Sequence, residues 1–290
     1  MRKINHIRPE NNEFTEVLSH IALVPKILHY YGDLPEKRVK TVAIVGSRHN
    51  TRYGEEVAYK LAYELAQKGV IVISGLAYGI DSVAHRGAVD AGGVSIGVLG
   101  TEIEKIYPRE HVGLAQKMVN LGGVVMSELQ RGDEYWPTTS FLMRNRIISG
   151  LSDAVVVVEA AEKSGSLNTA MHALDQGKML YAVPGNITNP YSQGCNKLIK
   201  QGAEPYTGVE DVMNYLFPPK RKKKQSGQLV IFGDDDVETA VLQLMYEGEE
   251  DGEVMMGRLG MSTSEWNQTM TMLEIKGRVR GLGANKWILV

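Results

Sequence analysis

The sequence predicts an α/β protein built on an open, mostly parallel sheet, with a small helical domain behind it. Two observations carry this reading. Short apolar runs alternate with longer amphipathic segments from residue 41 to residue 201, the pattern of strands joined by crossover helices. A proline-started basic stretch, Pro218-Pro219-Lys220-Arg221-Lys222-Lys223-Lys224-Gln225-Ser226-Gly227, then breaks the composition before a last segment of different character.

Residues 1–38 read as an N-terminal helical extension: Phe14, Val17, Leu18, Ile21, Ile27 and Leu28 suit short amphipathic helices interrupted at Pro25. Strands are predicted at 41–45, 70–73, 94–99, 124–126, 154–158 and 179–183. Helices are predicted at 53–67, 82–91, 111–121, 144–150, 167–176 and 196–201, with Gly69, Gly92, Gly122 and Gly177 where helices stop. This core spans 39–217 and the basic linker 218–236, read either as a solvated tether or as a mobile arm with weak, salt-sensitive attraction to phosphates. Residues 237–290 carry three helical patterns and a hairpin around Gly281-Leu282-Gly283, a winged-helix plan. Eight acidic residues against five basic ones there, a net of −3, argue against strong duplex binding and for a protein-interaction or dimer-supporting role.

The chain of 290 residues has net charge −2 and one cysteine, Cys195. That excludes an internal disulfide framework and fits a reducing cytoplasm. The N-terminal residues lack the apolar stretch of a signal peptide, and no run of about 20 apolar residues is present to span a membrane.

The chain leaves its predicted strands through Gly46-Ser47-Arg48, Ser74-Gly75, Gly100-Thr101, Ser127-Glu128, Glu159-Ala160 and Pro184-Gly185. Small residues at strand ends admit close approach of a ligand to backbone N–H groups, and helix N-termini add partial positive charge. The first of these turns is not the G-x-G-x-x-G dinucleotide fingerprint and no P-loop occurs, which excludes a nicotinamide enzyme and a P-loop ATPase. Asp81 and His85, four apart, could share a helix face with Glu128 or Glu159 nearby. An N-capping Asp81 and a packed His85 account for the pair without a metal or a proton transfer. Cys195 lacks a nucleophile signature and reads as structural.

Ser164-Gly165-Ser166 opens a helix after the most apolar strand and suits either a phosphate or a helix cap, with Lys163 favouring phosphate. Phe141-Leu142-Met143-Arg144-Asn145-Arg146 precedes that strand. Two arginines beside a buried strand need an anion or carboxylate. One of them could pair with Glu128 or Glu159, and Arg144 is expected in that role. Together with Arg48 and Lys197 these positions imply an extended anionic ligand.

The segments Val42-Ala43-Ile44-Val45-Gly46-Ser47-Arg48, Ser74-Gly75-Leu76-Ala77-Tyr78-Gly79-Ile80-Asp81 with Ala84-His85, Arg144-Asn145-Arg146-Ile147-Ile148-Ser149-Gly150, Val158-Glu159-Ala160, Ser164-Gly165-Ser166-Leu167 and Ala182-Val183-Pro184-Gly185 resemble the DNA-processing protein A family (DprA, also called Smf). The resemblance is colinear from about residue 39 to residue 216. It implies a Rossmann-like core that binds single-stranded DNA without sequence preference, usually as a homodimer. It also implies protection of incoming strands during natural transformation and loading of the RecA recombinase onto them, with no cofactor, no metal and no enzymatic activity. Carried over by motif, the DNA-binding positions are Arg48, Phe141, Arg144, Asn145, Arg146, Lys163, Gly165, Ser166 and Lys197. Gly46, Ser47, Ser74, Gly75 and Asp81 would shape the pocket. The chain departs from the family pattern at Cys195, at Glu102 and Glu104, and at Leu142. The alternative is a nucleotide-processing enzyme similar to the phosphoribohydrolases that release cytokinins, although Asn168 and Thr169 stand where those have a glutamate.

Overall fold

The computed structural model describes residues 3–133, 137–218, 233–283 and 285–289. Its elements in chain order are β1 (Asn5–Ile7), β2 (Leu28–Gly32), β3 (Thr41–Val45), α1 (Arg52–Gln67), β4 (Ile71–Ser74), α2 (Ile80–Asp90), β5 (Ser95–Leu99), α3 (Val112–Asn120), β6 (Val124–Ser127), α4 (Pro137–Leu151), β7 (Ala154–Val157), α5 (Ser166–Asp175), β8 (Met179–Ala182), α6 (Gln193–Lys200), β9 (Glu204–Pro205) and α7 (Val209–Leu216). The nine strands form one sheet in the order β1-β2-β6-β5-β4-β3-β7-β8-β9. From β6 to β9 every neighbouring pair is parallel, whereas β1–β2 and β2–β6 are antiparallel.

Period-2 alternation sorts the strand side chains to two cores. On β3, Ala43 and Val45 join a layer with Ile147, Ile148 and Leu151 of α4 and Ala170 of α5, together with Phe14 and Leu18. Val42 and Ile44 face Leu61 and Leu65 of α1, Val83 of α2 and Val212 of α7. Helices therefore cover both faces, as the near-continuous apolar strands require. This is the Rossmann-like sheet that the sequence predicts.

The first 38 residues differ from expectation. Residues 9–11 and 16–20 form only short 3-10 turns, and residues 28–32 form a strand that extends the sheet. The apolar spacing is too brief to nucleate a helix, and Leu28-His29-Tyr30-Tyr31 is aromatic sequence that suits a pleated surface. Helix α4 is twice its expected length, beginning at Pro137, a residue whose fixed φ suits a first helical turn. The short β9 and α7 complete the far side of the sheet beyond the predicted elements.

The chain divides into two compact units, Met1–Pro219 and Lys220–Val290. Most of the predicted basic linker, residues 219–232, lies outside the described residues. The second unit contains α8 (Asp236–Tyr246), α9 (Gly252–Leu259), α10 (Thr263–Ile275) and an antiparallel ribbon of β10 (Val279–Gly283) with β11 (Lys286–Leu289). Side-chain caps from Asp235, Asp251 and Ser262 start its three helices, and Trp266, Met270, Leu273, Val241 and Leu242 form its core. Among the described residues no helix is long and apolar enough to cross a membrane.

Candidate functional site

Strand order reverses at β3: β4, β5 and β6 follow it on one side, while β7, β8 and β9 lie on the other. Loops leaving β3 and β7 must therefore diverge, which opens a crevice at the carboxyl ends of these strands. A cleft of about 570 Å³ lies there, walled by residues 45–49 after β3, by Ala161, Ser164, Gly165 and Ser166 after β7, and by one face of α4. Phe141, Arg144, Asn145 and Ile148 are spaced there as helix neighbours on a single stripe, with Thr138 and Leu142 beside them.

Arg144 is anchored inside the wall. Its Nη1 donates to Gly75 O at 2.7 Å and to Val98 O, and its Nε donates to Asn145 Oδ1 at 3.1 Å. Gly75 is required for this fit, because a Cβ there would lie 2.4–2.6 Å from the guanidinium. Burial lowers the Arg144 pKa to about 10, with Arg48 adding to the effect and the Asp81 carboxylate opposing it. The side chain stays charged at neutral pH. Asp81 accepts from Gly75 N at 3.0 Å. Burial pushes its carboxyl upward, against the pull of Arg144 and of the donors on Ala77, Gly75 and Ser74.

Asn145 ties this arginine to the opposite wall. Its Nδ2 donates to Gly165 O at 3.3 Å and Asn168 Oδ1 at 3.2 Å, at the start of α5. The Ser164 and Ser166 hydroxyls bond to each other at 2.8 Å. The N-terminus of α1 is already filled: the buried Glu159 carboxylate accepts from Thr51 N at 2.8 Å and from Thr51 Oγ1 at 2.6 Å. Gly54 leaves room for that carboxylate, which a Cβ would approach to 2.3 Å. Of the six strand endings expected to form an anion-binding rim, this one carries its own internal anion. The start of α5 carries hydroxyls instead.

Phe141 sits over Gly100, where a Cβ would meet its ring at 2.5 Å. The exposed Arg48 lies over the Phe141 ring at 5.3 Å, and Arg144 lies 6.0 Å from it.

The cleft thus collects Gly46, Ser47, Arg48, Asp81, Phe141, Arg144, Asn145, Gly165 and Ser166 from the sequence-predicted set. Lys163 and Lys197 are exposed residues outside its lining. Ser74 is buried and donates to Ile44 O at 2.6 Å, bracing the strands beneath the site. Arg146 requires a correction. It is turned away from the cleft into a bidentate ion pair with Glu128, 2.8 Å to each carboxylate oxygen, and it also donates to Leu23 O and Met143 O. It is Arg146, not the expected Arg144, that pairs with a carboxylate, because residues two apart on a helix face different directions and only position 144 shares the stripe of Phe141. Thr138, Thr169 and Tyr191 also line the cleft. The sequence contexts of Thr138 and Tyr191 hold no motif that marks them. Among the described residues no cluster of three His, Cys, Asp or Glu side chains is placed to hold a metal.

Residues 5–217 match the family described as DNA recombination-mediator protein A. The DNA processing protein DprA of Bacillus subtilis is 40% identical over 216 residues, covering 73% of this chain and 71% of that protein. Protein Smf of Escherichia coli K12 is 44% identical over 213 residues, which cover 73% of this chain but only 57% of Smf, little more than half its length. Among solved structures, DprA from Streptococcus pneumoniae superposes with a TM-score of 0.66 at 34% identity, covering 73% of this chain and 74% of that one. DNA processing protein A from Helicobacter pylori, whose structure concerns its single-stranded DNA binding mode, gives 0.63 at 28% identity, covering 74% and 95%. With a sheet of this order, a cleft at its switch point and a match across residues 5–217, the chain belongs to the DNA recombination-mediator protein A family.

Proposed function

We propose that the cleft binds single-stranded DNA without sequence preference and that the chain acts as a recombination mediator on strands held there. The observation that carries this reading is the composition of one wall. Arg48 and Arg144 flank the Phe141 ring, which pairs cations for phosphates with a face on which any base can stack. The hydroxyl-lined start of α5 stands across the cleft and supplies a second phosphate-binding feature. The single-stranded DNA binding mode described for the Helicobacter pylori relative supports the same assignment. Asp81 is the one carboxylate among the described lining residues, and it is engaged with Gly75 N beside Arg144. That carboxylate is not free to act as a base, and we read the cleft as a binding site without enzymatic chemistry.

We propose further, from the resemblance, a homodimer that places two clefts on one strand, protection of incoming strands in natural transformation, and delivery of those strands to RecA. The C-terminal unit, winged-helix-like and acidic, is read as a protein-facing module, and the basic linker as a tether. Lys163 and Lys197 are read as peripheral phosphate contacts.

The test is fluorescence anisotropy with labelled single-stranded and duplex oligonucleotides at two salt concentrations. Single strands should bind more tightly than duplex. Arg48→Ala should weaken binding and flatten the dependence of log K on log salt by about 0.7, the share of one phosphate contact on a single strand. Its melting curve should not move, because Arg48 is exposed. Equal affinity for duplex, or an unchanged salt slope in the variant, would sink the reading.

A further inference from the structure

Beyond the cleft, the same edge of the sheet carries aromatic side chains that its walls do not use. Tyr107, on the loop leaving β5, has its ring centroid 5.9 Å from that of Phe141 and is 47% exposed. Tyr78, on the loop leaving β4, is 41% exposed. Its hydroxyl donates to Glu110 Oε2 at 2.8 Å, and its ring meets His111 edge-on at 5.3 Å. His111 in turn donates from Nδ1 to Leu76 O at 2.8 Å. Leu76 adopts φ +56°, a left-handed conformation that residues with a side chain rarely take. The loop is thus held in an uncommon conformation, two residues from an aromatic ring left open to solvent. The Tyr78 hydroxyl is raised above its ordinary pKa, chiefly by its hydrogen bond to Glu110.

Large exposed rings that are braced from behind and presented in series fit consecutive unpaired bases, because every base has a stacking face. From Phe141, Tyr107 and Tyr78 we infer a second, stacking-dominated subsite that extends the strand path from the cleft along the carboxyl ends of β5 and β4. The inference rests on the strand-binding reading above and adds a direction of travel to it. It also adds a division of labour. The cleft holds phosphates through cations, while the extension, with Glu110 among its residues, holds bases.

The test uses the full chain with oligothymidylates of increasing length, at two salt concentrations, and the variants Tyr107→Leu, Tyr78→Leu, Tyr107→Phe and Tyr78→Phe. Affinity of the unaltered protein should rise with length beyond what the cleft alone spans. Each leucine variant should lose that increment, roughly 5- to 150-fold on the longer strands, as expected for one base–aromatic stack. The shortest strands should bind it as before. The salt slope should not change, in contrast to Arg48→Ala, since no charge is removed. The phenylalanine variants should retain the increment. Strands carrying 5-iododeoxyuridine, irradiated on the unaltered protein, should cross-link to Tyr107 or Tyr78, a readout that does not depend on a variant folding. If the unaltered protein binds strands while the leucine variants match it at every length and no cross-link reaches either tyrosine, the extension is refuted and the cleft assignment stands. If the unaltered protein fails to bind strands at all, the underlying reading falls and the extension falls with it.

Discussion

Arg146→Ala removes a cation whose side chain is only 5% exposed, from a carboxylate partner that is 31% exposed. The hydrogen bonds to Glu128 are charge-assisted, with Nη2 shared between both carboxylate oxygens, and two carbonyls, Leu23 O and Met143 O, each lose a donor with them. Breaking a fully buried pair costs about 3–5 kcal/mol, mostly through the partner left uncompensated. Because Glu128 can still reach water, the lower part of that range applies, about 3 kcal/mol. At about 2–4 °C per kcal/mol for a domain of this size, the melting temperature should fall by roughly 6–12 °C. The direct assays are thermal and urea denaturation, with a double-mutant cycle through Glu128→Gln that should return a coupling of about 1–3 kcal/mol. Oligonucleotide affinity, measured where the variant is still folded, should change little. This departs from the expectation from sequence, in which Arg144 rather than Arg146 is the partner of a carboxylate. A variant that melts like the unaltered protein but no longer binds strands would refute the assignment of Arg146 to the fold.

Gly75→Ala should place a Cβ against the Arg144 guanidinium and expel it from its two carbonyl acceptors, costing about 3 kcal/mol and abolishing tight strand binding; a structure retaining the native Arg144 position would contradict this. His85, fully buried with Nδ1 on Ser95 Oγ and Nε2 without a partner among the described residues, has its pKa lowered to about 3, chiefly by burial. The unfolded chain therefore binds one more proton than the native protein between about pH 3 and pH 6.5, and stability rises with pH across that window. The protein should be about 2 kcal/mol less stable at pH 5 than at pH 7 on account of this residue, and His85→Asn should remove one proton from the acid slope of its denaturation midpoints.

The parallel core was legible because its signal is local and redundant. Five-residue apolar runs such as 41–45 and 154–158 can bury both faces only inside a sheet covered on both sides, and glycines at helix ends mark where each crossover turns back. The antiparallel margin was not legible. Its strands are short, and β2 pairs with a strand almost one hundred residues away, a partnership that residues 28–32 do not encode. At the site, residue types indicated an anion, and the helical stripe of 141, 144, 145 and 148 was implicit in the spacing. Which arginine faces the cleft depends on how α4 is rotated against the sheet. That rotation is fixed by Ile147, Ile148 and Leu151 in the core, a packing outcome rather than a motif. The filling of the α1 N-terminus by Glu159 is likewise a contact over more than one hundred residues.

The sheet described above ends at both margins in its shortest strands, three residues at β1 and two at β9, the latter including Pro205 with no N–H to offer. An uncapped sheet margin is a template on which other chains can add strands, and five-residue parallel strands of Val, Ile and Ala would make a sticky one. Covering β2 with β1, and stopping β9 after two residues, confines the exposed backbone to a few groups. In colloidal terms the fold guards against its own polymerisation, and residues 5–7 serve the chain as a selvedge that keeps the sheet finite.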